Sequence, residues 1–72
     1  MTKAARKFID FKVGASDEQL AKSFYAPYVG TVRITGVDKR RKHHPIRVHI
    51  VDTNRVGHMS VPAVRAALGL IN

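Results

Sequence analysis

The sequence predicts a small α+β domain: a curled antiparallel sheet of three to four strands with two short helices over its apolar side. Three observations lead there. β-Branched residues recur with a period of two in two stretches, 29–36 and 46–50, which is the pattern of half-buried strands. A capping box, Ser16-Asp17-Glu18-Gln19, opens one short helix, and Pro62 suits the first turn of another. The chain has 72 residues and no cysteine, so there is one domain at most and no disulfide or thiolate cluster to reinforce a small core. A core of this size is marginal, and a homodimer or ordering on a partner is expected.

The elements follow in order. Residues 1–7 read as a basic, mobile N-terminal arm, and 8–72 as the compact domain. From Phe8 the residues alternate, with Ile9, Phe11 and Val13 on one side and Asp10 and Lys12 on the other, which predicts a strand. A helix starting at Ala4 competes with it, because Ala-Ala-Arg-Lys is helix-friendly. Gly14-Ala15 breaks this element. Ser16 then caps a helix that places Leu20, Ala21 and Phe24 on one face and stops before Pro27.

Two strands come next. Gly30, Val32, Ile34 and Gly36 point one way and Thr31, Arg33 and Thr35 the other; further on, Ile46, Val48 and Ile50 point in and Arg47 and His49 out. Turn chemistry at Asp52-Thr53-Asn54-Arg55 leads to a third strand, Val56 to Val61, with Met59 and Val61 inward and His58 and Ser60 outward. Pro62 and Ala63 to Leu68 form the last helix, Gly69 ends it, and Leu70-Ile71 pack as a tail.

Charge is the strongest global signal. The chain carries 13 Lys+Arg against 5 Asp+Glu, a net charge of +8, with a pI near 10.7. Such an excess attracts polyanions. It is also uneven: Lys3, Arg6, Lys7 and Lys12 gather near the start, and Lys39, Arg40, Arg41, Lys42 and Arg47 lie between Asp38 and Asp52 with no acid among them. Read as a hairpin loop, Asp38 to Pro45 is long for a compact domain, and long loops are usually functional or flexible. Its cations can reach phosphate oxygens, and Arg33, Arg47 and His49 extend the same charge along the outer strand face. A charge run can equally be a solvated loop that keeps a marginal protein soluble and its strand edges apart. The second basic cluster tilts the balance toward binding.

Other chemistries find less support. His43, His44, His49 and His58 show neither Cys partners nor the spacing of a metal site, so no metal or other cofactor is expected. These histidines instead join the cationic face and charge below about pH 6.5. The serines lack a nucleophile motif, no Gly-rich loop opens onto a helix, and a domain this small has little room for a walled pocket, so an enzyme is not expected. Phe11 and Phe24 read as core and Tyr28 as bordering the sheet. Phe8 and Tyr25 are left as the candidates to stack on bases. No apolar run reaches the length of a membrane span and nothing resembles a signal peptide, which makes the cytoplasm the expected compartment.

The expected function is therefore non-catalytic binding of a DNA or RNA backbone with little sequence preference. The expected contacts are Lys39, Arg40, Arg41, Lys42, Arg33 and Arg47, with His43, His44 and His49 beside them and Lys3, Arg6 and Lys7 as a second arm. Two alternatives share the same charge logic: a small regulator or inhibitor of phage type that docks on an acidic host protein, and a subunit of a ribosome-sized particle. In general shape the strand order resembles SH3-like or Sm-like barrels, a likeness of fold class that transfers no function.

Overall fold

Seven elements make up residues 1–70, the part of the chain that the computed structural model describes. They are α1 (Lys3–Lys12), α2 (Asp17–Ala21), β1 (Phe24–Ala26), β2 (Gly30–Val37), β3 (Ile46–Ile50), β4 (Arg55–Met59) and α3 (Val61–Ala67). The strands form one antiparallel sheet in the order β1-β2-β3-β4, an open sheet with short helices, consistent with a small α+β fold.

The first element is a helix and not the strand expected from Phe8. Ala5, Ile9 and Val13 recur every four residues and are all buried, while Phe11, which the strand reading placed inward, is 82% exposed. Burying Ile9 and Val13 contributes roughly 1.5–3 kcal/mol each. Thr2 starts the helix by accepting a hydrogen bond from Ala5 N at 3.1 Å. Most of the expected arm at residues 1–7 is thus the first half of α1, with Ala5 in the core.

The second helix begins as the capping box requires. Ser16 Oγ accepts from Gln19 N at 3.2 Å, and Gln19 Oε1 accepts from Ser16 N at 2.9 Å. It is shorter than expected. Lys22 is already extended, and Phe24, expected on the helix with Leu20 and Ala21, pairs with Val32 as part of β1. Ala21 is exposed. Aromatic residues fit a pleated surface well, and here the strand wins.

β2 and β3 pair in the expected sense with one irregularity. Ile34 faces Val48 but Gly36 faces Arg47, so Thr35 is an extra residue, a β-bulge. The bulge shifts the cross-strand pairing beyond it. Gly36, expected inward, is buried but faces Arg47, where an added Cβ would lie 3.9 Å from Nη1, and Val37 also packs against the core. Thr35 Oγ1 donates to Arg47 O at 3.3 Å.

The third expected strand stops at Met59 instead of Val61, because Ser60 Oγ accepts from Ala63 N at 3.2 Å and starts α3. α3 ends at Gly69, whose φ of +73° lets its N–H bond to Ala66 O and Leu70 N–H to Arg65 O. Leu70 packs on the core as expected; Ile71 lies outside the described residues. Ile9, Val13, Leu20, Val32, Ile34, Ile46, Val48, Met59 and Val64 form one cluster beneath the helices. Arg65 clamps it at the rim, donating to Val13 O at 2.5 Å and to Leu70 O at 2.7 Å. Among the described residues, no helix is long and apolar enough to cross a membrane.

Candidate functional site

The β2–β3 hairpin lifts residues 38–45 off the sheet as the strand periods require, and Asp38 N–H to Pro45 O at 2.7 Å closes its base. Four cations sharing so short a loop repel one another, and Asp38 gathers two of them. Its Oδ1 accepts from Arg40 N at 3.2 Å and Arg40 Nε at 3.3 Å, and its Oδ2 lies 3.7 Å from Arg41 Nε. Only 13% of the Asp38 side chain is exposed. Burial pushes its carboxyl up, but the Arg40 hydrogen bonds and the charges of Arg40 and Arg47 outweigh burial and hold it below the ordinary carboxylate range. Asp38 is thus the organiser of the loop, a role that its place as a mere bounding acid in the sequence did not suggest.

His58 meets the same carboxylate from β4. Its Nε2 is buried without a hydrogen-bond partner, 3.9 Å from Asp38 Oδ2. Burial lowers its pKa first, Arg41, Arg47 and His44 add to this, and Asp38 opposes them. His58, expected to join the cationic face with the other histidines below about pH 6.5, is instead held neutral to lower pH.

The remaining cations separate by location. On the outer sheet face, Arg33 pairs with His49 and His49 with Val56, while Gly36 pairs with Arg47 and Arg47 with His58. His49 Nε2 shares a hydrogen bond of 2.7 Å with Asn54 Oδ1. On the loop, Lys39, Lys42, His43 and His44 are exposed. On α1, Lys3 and Lys7 are exposed, but Arg6 is committed within the fold, ion-paired with Asp10 at 3.1 Å and with Asp17. Among the described residues, no carboxylate lies within 4.0 Å of Lys3, Lys7, Lys12, Arg33, Lys39, Lys42 or Arg47.

Two sequence-distant clusters meet in one place. An open cleft of about 560 Å³ has Phe8 and Lys12 of α1 on one side and Lys42, His43 and Pro45 of the loop on the other, closed by Val61 and Pro62. The sequence put Lys12 in the basic N-terminal stretch but gave it no place in the site. Only the helical geometry of α1 carries it to the loop. Phe8, a stacking candidate, is half-buried against the core and lines this cleft; Tyr25, the other, projects from β1 and is 68% exposed.

Four of the five acids have structural partners. Asp10 and Asp17 hold Arg6, Asp38 holds the loop, and Asp52 Oδ2 accepts from Thr31 N at 3.1 Å at the start of β2. No group of three or more His, Asp or Glu suited to a metal ion occurs among the described residues. Comparison with protein-family models, curated proteins and solved structures finds no match.

Proposed function

We propose that this chain is a small non-catalytic nucleic-acid-binding protein that grips backbone phosphates with little sequence preference. The observation that carries this reading is the junction of the two basic clusters. Lys12 of α1 and Lys42 and His43 of the loop face one cleft, and Lys39, Arg33 and Arg47 continue the unpaired charge across the hairpin. Cations without carboxylate partners keep their full attraction for phosphate, and each phosphate neutralised releases counterions. On duplex DNA the affinity then falls by about 0.9 log units per log unit of salt for each phosphate contacted. Replacing Lys39, Arg40, Arg41 and Lys42 together by alanine should flatten that slope. Unchanged slope and affinity would refute the reading.

One observation favours a second reading, docking on an acidic protein. β4 is an edge strand, and Val56 on it is 66% exposed beside Arg55 and opposite His49, an arrangement open to strand addition. A pull-down with and without nuclease separates the two: partners lost under nuclease support nucleic acid, and partners retained support protein.

A further inference from the structure

The basic loop sits at one end of β2 and leaves the other end unexplained. There β1 turns into β2 through Pro27 and Tyr28, closed by Val29 N–H to Ala26 O at 3.1 Å. Tyr28 is held at φ +70°, a conformation that turns normally give to glycine or asparagine, and its side chain is fully exposed. Tyr25 is 68% exposed and lies opposite Thr31 on the outer side of the sheet, diagonal to Arg33. Beside the two rings runs an open apolar groove of about 380 Å³, with Met59 and the small side chains Ala63 and Ala66 of α3 on its far side. Two bare aromatic rings and an apolar groove thus border a face whose charged residues, Arg33, Arg47 and His49, lead back to the loop.

We propose that the polymer bound is single-stranded, and that Tyr25 and Tyr28 form a base-stacking edge at the end of the sheet opposite the basic loop. This inference rests on the proposed phosphate-binding function and adds the form of the ligand to it. β2 spans roughly 25 Å at about 3.3 Å per residue, so one strand laid along it meets the loop with its backbone and the tyrosines with its bases. A duplex hides its bases within the stack and offers the rings nothing. Flat aromatic faces next to cations are the arrangement that holds single strands without reading their sequence. Arg33, diagonal to Tyr25 on the outer side of the sheet, favours an anionic occupant over an apolar peptide.

The chain offers a direct probe, since it has two tyrosines and no tryptophan, and both tyrosines lie at this edge. Intrinsic fluorescence should be quenched on titration with oligodeoxythymidine or oligouridine, the two arms distinguishing DNA from RNA, and not with a duplex of equal length. Tyr25→Leu and Tyr28→Gly should each weaken single-strand binding about tenfold, the loss of one base stack, while leaving the salt slope and duplex binding intact. Tyr28→Gly suits the positive φ, so its melting temperature should hold or rise, and weakened binding cannot then be ascribed to misfolding.

Single strands bound with no quenching, or Tyr variants with wild-type affinity while the loop variant loses its slope, would overturn the stacking edge and leave the phosphate reading standing. Binding to no nucleic acid would overturn both. Tyrosine emission that changes with protein concentration alone, together with dimers in sedimentation, would show a second copy in the groove and also overturn the proposal.

Discussion

The two basic segments, α1 and the β2–β3 loop, divide their cations by the same rule despite different architecture. In α1, Arg6 is drawn to Asp10 and Asp17, while Lys3, Lys7 and Lys12 have no carboxylate partner among the described residues. In the loop, Arg40 and Arg41 face Asp38, while Lys39 and Lys42 have none. Arginine makes the internal ties and lysine is left to solvent. The planar guanidinium fork suits fixed hydrogen bonds, whereas lysine carries a hydrated point charge on a flexible stem. The segments differ in their anchor: α1 is held by apolar burial, and the loop by one shielded carboxylate. The number of cations therefore exceeds the number without a carboxylate partner in both places, although Arg40 keeps 90% of its side chain exposed.

The hardest way to break this comparison is to undock α1. Ile9 is fully buried, and Ile9→Ala should cost about 2–5 kcal/mol in a denaturant titration, with nucleic-acid affinity falling as Lys12 leaves the loop. A smaller loss is expected of Arg65→Met, which leaves the carbonyls of Val13 and Leu70 without their guanidinium donor. About 1–3 kcal/mol should be lost, and amide exchange should quicken at the end of α1.

The division between lysine and arginine is tested by pairs. Lys39→Gln with Lys42→Gln should lower the salt slope on duplex DNA by about 1.8 while leaving the melting temperature unchanged. Arg40→Gln with Arg41→Gln should lower it less, because those guanidinium groups already face Asp38. Equal reductions in anisotropy titrations would remove the distinction.

The smallest effect is that of pH. His58 titrates below its ordinary 6.5 when folded, so the unfolded chain binds a proton more readily and stability falls as pH drops below about 6.5. Asp38, held below 3.8, contributes stability above that value and loses it only at lower pH, outside this window. Melting temperature should thus decline modestly between about pH 7 and pH 5.5, and His58→Phe should flatten the decline. An undiminished decline in the variant would assign it elsewhere.

What the sequence made legible was whatever local chemistry decides alone. Ser16 and Gln19 form their capping box wherever a helix follows, Gly69 supplies the positive φ at a helix end, and the 30–50 hairpin is written in β-branched alternation. Where two periods coexist, local pattern could not choose. Ile9, Phe11 and Val13 satisfy a strand, Ala5, Ile9 and Val13 a helix, and docking on the sheet settles the matter. The Thr35 bulge was invisible because it is a property of two strands together, and it set Gly36 opposite Arg47 and Val37 opposite Ile46. The loop's existence was legible and its organisation was not. Asp38 becomes its centre only once the fold brings Arg40, Arg41 and His58 around one carboxylate.

The clamp made by Arg65 carries a consequence for the order of events at birth. Its bond to Val13 O joins residues 52 apart, so the end of the first helix waits for that length of chain to be synthesised. At about 5–20 residues per second the ribosome takes roughly 3–10 s to cover that distance, long after a helix of ten residues could have formed and melted many times. The nascent α1 segment therefore spends seconds as an unclamped basic peptide. The clamp itself can close only after α3 has emerged.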